Sequence, residues 1–176
     1  MGLINNTVTL ENEYDTWKRM FEEEKNILNS IFNNSFEIEH VGSTSVRDLV
    51  AKPIVDIAIG VKSLDELNQY MPQLKERYTI KENINYKEIL LIKETENETF
   101  FLIHVLPKND TRYQNMIKFR DILINNPNVL KEYEQLKQEL AKEYQNNRQK
   151  YTQAKNEFIQ RIIIKEINKD FKQLVD

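Results

Sequence analysis

Residues 40–61 read HVGSTSVRDLVAKPIVDIAIGV, and the predicted architecture of the chain can be built around this segment. Alternating apolar and polar residues over 36–41 predict a short strand, which ends at Gly42-Ser43 because the backbone must turn there. After a polar loop, the β-branched run from Pro53 to Val61 predicts a central strand. Two strands joined through a glycine turn are therefore the predicted nucleus of a sheet.

Periodicity, capping residues and proline positions predict the elements on either side. A helix is predicted over Asp15–Ile31, and a second begins at Ser63, where Glu66 completes a capping-box pattern. Strands are predicted over Tyr86–Lys93 and Thr99–Leu106, joined as a hairpin. Further helices are predicted over Thr111–Ile124, Pro127–Tyr144 and Gln149 to about Leu174. The predicted fold class is α/β (α+β), a mixed β-sheet flanked by helices with a C-terminal helical section.

Composition favours one domain over residues 1–176, with a sheet-containing part of about 1–110 and a helical tail of about 111–176. The chain has 3 Gly and 4 Pro, and its 40% hydrophobic residues can fill one core. The lack of cysteine excludes disulfides and thiol catalysis and favours the reducing cytosol, so we expect a cytoplasmic protein. No apolar run suits a signal peptide or a membrane span, so no membrane partner is expected.

Charge is unevenly distributed along the chain. Residues 1–111 hold 12 Lys/Arg and 19 Asp/Glu, a net −7, whereas residues 112–176 hold 13 and 9, a net +4. The signs alternate along the tail, which is typical of solvated helix faces. A weaker interpretation is that the tail presents cations to a phosphate-bearing partner.

The candidate chemistry lies in the same central segment. The turn over Gly42-Ser43-Thr44-Ser45 exposes backbone N–H groups and hydroxyls that can hold a phosphate, although the hydroxyls can equally cap a helix. Asp56 lies inside an apolar strand and needs a partner or a cation, which can be Lys52 or Arg47. His104 lies in FFLIHVL, where an imidazole can be a ligand, an acid/base or a hydrogen-bonded core group.

Other polar residues are weaker candidates for the same cleft. Glu39 and His40 flank the turn, and Glu88 lies on the predicted hairpin; both acids also suit the surface. Arg120 presents a fork of donors to a phosphate, or it pairs with Asp121 and fixes a helix to the sheet.

The segments IEHVGSTSVRDLVAKPIVDIAIGV, FFLIHVLPKN and FRDILINNPNVLKEYEQLK resemble the GrpB (UPF0157) family. That family is placed in the nucleotidyltransferase-like superfamily, whose signature is Gly-Gly or Gly-Ser after the first strand, Asp-x-Asp on the next strand and a third carboxylate later. The resemblance implies that Val41-Gly42-Ser43 is the first element and that Asp56 is the first acid. Ala58 stands at the second acid and His104 at the third, and Arg47-Asp48 replace the Pro-Gly of many relatives.

The resemblance implies a nucleotidyltransferase-like fold and a function in which a nucleotidyl or phosphoryl group is transferred to a small acceptor. Asp56 and His104 would be catalytic and would hold a divalent metal, Mg²⁺, Mn²⁺ or Zn²⁺. The turn, Lys52 and Arg120 would bind the phosphates of a small nucleotide or phosphorylated ligand rather than a nucleic acid. Two alternatives stay open: a non-catalytic nucleotide- or phosphate-binding module, and a protein-interaction domain that uses the helical tail.

Overall fold

A computed structural model of the protein describes residues 2–4, 7–83 and 87–175, with side chains up to Lys169. The described residues form six strands and five α-helices, in one mixed sheet flanked by helices. The strands are β1 (Leu3–Ile4), β2 (Glu37–Val41), β3 (Val55–Val61), β4 (Thr79–Asn83), β5 (Glu88–Glu94) and β6 (Glu98–Pro107). The helices are α1 (Tyr14–Phe32), α2 (Met71–Lys75), α3 (Thr111–Asn125), α4 (Pro127–Glu143) and α5 (Arg148–Val175). The expected fold class is confirmed.

The sheet order is β2-β3-β6-β5-β4, and β1 pairs with β6. Strands β3 and β6 are parallel neighbours, whereas the β2/β3 and β5/β6 pairs are antiparallel. The predicted strands of the central segment and the predicted hairpin are thereby confirmed. Strand β4 was not predicted, because its sequence, TIKEN, is almost entirely exposed and lacks the alternation of a half-buried strand.

The two faces of the sheet have different characters because successive side chains on a strand point to opposite sides. One face carries Ile57, Ile59 and Ile103, which are fully buried against the apolar stripe of α1. Asp56 and His104 lie on the opposite face, which α3 and the other C-terminal helices cover.

An ionic cluster is buried on the α1 side of the sheet. The Glu24 side chain is only 2% exposed, and its carboxylate accepts a hydrogen bond of 2.6 Å from the Tyr78 hydroxyl. The same carboxylate pairs with Lys93 Nζ at 2.5 Å. Burial, with the neighbouring Glu24 carboxylate, raises the pKa of Tyr78 above its ordinary value. Each charge in this cluster is therefore neutralised by direct contact.

The segment after Ser63 differs in form from its prediction. The capping box of Ser63 and Glu66 is present, but it opens a 3-10 helix over Leu64–Tyr70, which is followed by the short helix α2. The predicted strand start at Tyr86 lies outside the described residues, and β5 begins at Glu88. The predicted bounds of α3 and α4 agree with the structure to within one residue.

The helical section packs through the apolar seams that the sequence indicates. Tyr133 and Phe158 stack with ring centroids 5.3 Å apart, and Phe119 meets Tyr133 edge to face. All three side chains are buried, so they are core residues and cannot serve as a base-stacking platform. In the described part of the chain, no helix combines the length and apolar character needed to cross a bilayer.

Candidate ligand-binding site

The glycine turn is built around the Asp56 carboxylate. Gly42 has φ +71°, a region that favours glycine, and a Cβ placed there would lie 2.5 Å from Asp56 Oδ2. A 3-10 turn over Ser43–Ser45 follows immediately. Glycine at this position therefore lets the end of β2 approach the carboxylate on β3 closely.

Asp56 and His104 point to the same side of the sheet and line one cavity. His104 on β6 is the register partner of Ala58 on β3, so Asp56 is its diagonal neighbour on the same face. The cavity has a volume of about 800 Å³ and lies between the sheet, the loop after β2 and the helices α4 and α5. Ser43, Thr44 and Lys52 also line it. The structure thus brings five of the predicted site residues together.

The His104 ring is oriented by a carboxylate. Its Nδ1 donates to Glu88 Oε1 at 2.6 Å, and Glu88 Oε2 accepts from Arg112 at 3.3 Å. The hydrogen bond to His104, with the charge of Arg112, lowers the pKa of Glu88. Among the described residues, His104 Nε2 has no hydrogen-bond partner, so this nitrogen is available as an acceptor. Glu88 therefore holds the His104 ring in position but does not itself line the cavity.

The helical tail supplies cations that the sequence did not identify as site residues. Lys137 on α4, and Arg148 and Lys155 on α5, line the cavity together with Lys52. The ammonium groups of Lys155 and Lys52 lie 4.7 Å and 5.3 Å from the ring centroid of Tyr151. Lys137 is only 1% exposed, and its ammonium group donates to the Val50 carbonyl.

Of the described residues that line this cavity, four are cations and Asp56 is the one carboxylate. The Asp56 carboxylate has no hydrogen bond and no ion pair within the described chain, although its charge acts on all four basic side chains. Burial, reinforced by repulsion from neighbouring cations, lowers the pKa of Lys52 to about 7 and that of Lys155 to about 8. Burial also lowers the pKa of Lys137 well below its ordinary value. The ligand-free cleft thus holds basic side chains that lose protons more readily than free lysine, and among the described residues no carboxylate pairs with them by contact.

Several predicted site residues are engaged away from the cavity. The Ser45 hydroxyl donates to the Gly42 carbonyl at 2.6 Å. Arg47 is exposed, pairs with Asp15 at 3.0 Å and lies over the Tyr14 ring. These contacts fix the turn and join the loop to α1.

Two residues near the turn also lie outside the cavity. His40 points to the α1 side, where its ring stacks on Phe21 at 4.7 Å and its Nε2 pairs with the Thr44 hydroxyl at 3.1 Å. Burial and the charge of Arg120 lower the pKa of His40 to about 3. Its neutral ring is therefore a packing group.

Arg120 on α3 is held in a network of its own. Its guanidinium donates to Glu39 at 2.6 Å, to the His40 carbonyl at 2.9 Å and to Asp121 at 2.8 Å. These contacts fasten α3 to β2, as the second interpretation of Arg120 expects. The role of Arg120 in phosphate binding stays a prediction, and in this arrangement its Nε and Nη1 donors are already engaged by protein groups.

The side chains that the site offers as metal ligands do not fit a two-metal centre. Such a centre needs several hard oxygen ligands. Here Ala58 presents a methyl group beside Asp56, and the neighbouring strand presents the imidazole of His104. Within the described chain, no cluster of three or more His, Asp or Glu side chains could hold a metal ion. A single metal held by Asp56 and His104 stays a prediction, and it would need most of its ligands from elsewhere.

Fold and cleft together define a class: an α+β protein with a mixed sheet whose polar face forms a cation-rich cleft with a helical section. Residues 7–165 match the family model described as GrpB protein. The chain therefore belongs to the GrpB family.

Individual relatives agree with this assignment. The glutamate-rich protein GrpB of Alkalihalophilus pseudofirmus is 35% identical, over 93% of this chain and 98% of its own. YqkA of Bacillus subtilis, a UPF0157 protein, is 32% identical over 82% of this chain, but the match spans only 43% of YqkA. The crystal structure of GrpB from Enterococcus faecalis superposes with a TM-score of 0.82 and 26% identity, covering 93% of this chain and 99% of that one. The resemblance to GrpB proteins found in the sequence is confirmed.

Proposed function

We propose that the cleft binds the phosphate groups of a nucleotide or another small phosphorylated ligand. One observation carries the proposal: four basic side chains converge on a cavity in which, among the described residues, the one carboxylate, Asp56, pairs with none of them. The four are Lys52, Lys137, Arg148 and Lys155. Lys137 is buried and the other three are half-buried. Positive charges held close together without a counter-ion are costly, and a phosphate would supply the missing negative charge. A volume of about 800 Å³ suits a ligand of nucleotide size.

The turn supports the same proposal. Ser43 and Thr44 line the cavity at the end of β2, whereas Gly42 lies outside its wall and lets the turn approach Asp56. Lysine binds phosphate as a point charge, and arginine binds it through two parallel N–H groups. The ligand would thus lie between the turn and the two C-terminal helices, with the cations of α5 closing one side.

Equilibrium binding tests this proposal directly. Calorimetric titration of the parent protein with ATP, GTP and inorganic tripolyphosphate is expected to show saturable binding that weakens with added salt. Lys155→Gln should weaken binding about tenfold or more, since a charge-assisted contact contributes roughly 1.5–3 kcal/mol. Lys165→Gln, an exposed lysine on the same helix, is the matched control. Equal affinities in all three proteins would place binding elsewhere, and no binding to the parent would refute the proposal.

Group transfer is a second candidate, and the Glu88–His104 contact favours it. In this step the acceptor hydroxyl gives its proton to His104 Nε2, the acceptor oxygen bonds to phosphorus, and the bond from phosphorus to the leaving phosphate oxygen breaks. His104 would be the general base and Glu88 its positioning residue, which fixes the tautomer. The basic side chains would stabilise charge on the phosphates.

Product analysis separates this candidate from simple binding. Release of pyrophosphate or phosphate from ATP, with mass spectrometry of candidate acceptors, is expected for the parent and lost in His104→Ala. Glu88→Gln should retain ligand affinity but change the pH profile of the rate, because the partner of Nδ1 loses its charge. Glu82→Gln, an exposed acid on β4, is the control. Tight binding without any turnover would leave a phosphate-binding module as the function.

A further inference from the structure

We infer that the cleft binds its phosphate ligand without a divalent metal ion, because basic side chains supply the positive charge that metal ions would otherwise provide. This inference rests on the proposed function and restricts the class of ligand that the cleft binds. It specifies the ligand as a polyphosphate free of bound metal.

The side chains that line the cavity include few ligands for a metal ion. Magnesium requires a near-octahedral shell of hard oxygen ligands, and the cavity offers it one protein carboxylate, that of Asp56. The position beside it is Ala58, whose methyl group cannot ligate. The imidazole of His104 is a nitrogen donor and suits magnesium poorly. A metal bound here would depend almost entirely on the ligand and on water.

The basic side chains of the cavity also disfavour a divalent cation by electrostatic repulsion. Lys52 and Lys155 approach the same Tyr151 ring, so their ammonium groups are held by an aromatic ring rather than by acids. Each of them lowers its neighbours' affinity for protons, as the causes of the reduced pKa values of Lys52 and Lys137 show. A divalent cation in this cleft would meet the same repulsion, whereas a polyphosphate anion would relieve it.

The number of positive charges in the cleft also matches the negative charge of a metal-free triphosphate. Among the described residues of the cavity wall, four basic side chains face one carboxylate. A bound polyphosphate raises the pKa values of the lysines, so the protonated cleft around it carries a net charge of about +3. A metal-free triphosphate is a more complete counter-ion for this cleft than its magnesium complex, whose charge is already partly neutralised. Because Lys137 comes from α4 and Arg148 and Lys155 come from α5, the cations surround the ligand position from two helices.

The test compares affinities with and without metal. Tripolyphosphate and ATP are titrated into the parent protein in EDTA and again in excess Mg²⁺. We expect binding in EDTA and at least a fivefold weaker apparent affinity with Mg²⁺, which sequesters the ligand. Binding only in the presence of Mg²⁺, or of Mn²⁺ in a parallel titration, would overturn the inference and leave the proposed function intact. Absence of binding under every condition would refute the proposed function itself.

Asp56→Asn provides an independent criterion. Without a metal, Asp56 repels the phosphates, so its neutral isostere should bind tripolyphosphate in EDTA two- to fivefold more tightly. If Asp56 instead holds a metal that bridges to the ligand, the same variant should lose affinity. Unfolding temperatures of the parent and the variant verify that both are folded, and Asp48→Asn, an exposed acid in the loop after the turn, is the matched control.

Discussion

Glu24 on one face of the sheet and Asp56 on the other are both carboxylates beside lysines, but only Glu24 is neutralised by contact. Tyr78 and Lys93 approach Glu24 to 2.6 Å and 2.5 Å. Among the described residues, Asp56 has no such partner, and the lysines around it contact a ring or a carbonyl instead. The first cluster is closed and fastens α1 to the sheet. The second is open, which is what a ligand site requires and a structural ion pair does not.

The largest expected effect comes from breaking the closed cluster. Glu24→Gln should lower the free energy of unfolding by roughly 2–3 kcal/mol, because it removes the negative charge that pairs with Lys93 and weakens the hydrogen bond from the Tyr78 hydroxyl. The value lies below that of a fully buried pair because the Lys93 side chain is 39% exposed. Urea unfolding measures the change, and Glu22→Gln on the exposed side of α1 is the control. A loss as small as that of Glu22→Gln would show that the cluster is not structural.

Lys137→Met, in the open cluster around Asp56, should change stability little and weaken ligand binding strongly. We expect the free energy of unfolding to change by less than about 1 kcal/mol. Methionine fills a similar volume, and the loss of the hydrogen bond to the Val50 carbonyl is offset because an ammonium group no longer has to be buried. Binding of tripolyphosphate should weaken about tenfold. Urea unfolding and calorimetry measure the two quantities, with Lys131→Met on the exposed side of α4 as control. Destabilisation as large as that of Glu24→Gln would make Lys137 a structural residue.

The pH dependence of the ligand-free protein sharpens the comparison further. Lys52 is faced by Asp56 from β3 and by Lys155 and Arg148 from α5, and its pKa is lowered to about 7. The unfolded chain therefore binds more protons than the folded chain between pH 7 and about 10, so stability should rise with pH over that range. Lys52→Met should flatten the rise by roughly 5 °C in Tm between pH 7 and 9, because the shifted pKa contributes about 2 kcal/mol over that range. An unchanged slope would mean that Lys52 is fully charged in the folded protein.

The smallest effect is expected at the surface. Arg47→Gln removes an exposed pair with Asp15, and it should change the free energy of unfolding by less than about 0.5 kcal/mol. Phosphate affinity should stay at the parent value because Arg47 does not line the cavity. Loss of affinity in this variant would extend the site beyond the open cluster.

Much of the fold was predictable because local patterns coincide with the observed environment. Strands β2 and β3 alternate or run apolar where they are buried, and the glycine turn between them is required by the backbone. Strand β4 was missed because an exposed edge strand has no apolar periodicity to detect. The helix expected from Ser63 is shorter and begins as a 3-10 helix, although its capping box is correct.

The site was only half predictable. Asp56 and His104 stood out as polar residues in apolar strands, and the structure places both at the cavity. The tail lysines were interpreted as solvated because they occur among alternating charges. Their positions carried a usable signal: Lys137 is four residues after Tyr133 and three before Leu140, on the buried seam. A cation on an apolar seam is as unusual as an acid in a core strand.

The cleft draws on elements that are far apart in the chain. Lys52 and Asp56 belong to the loop and strand that follow the turn, whereas Arg148 and Lys155 lie on the last helix. During synthesis on the ribosome, the sheet can therefore be completed while half of the cleft is still untranslated. Under the proposed function, a phosphate ligand would bind only molecules whose final helix has docked, so its binding energy would stabilise completed chains and not interrupted ones.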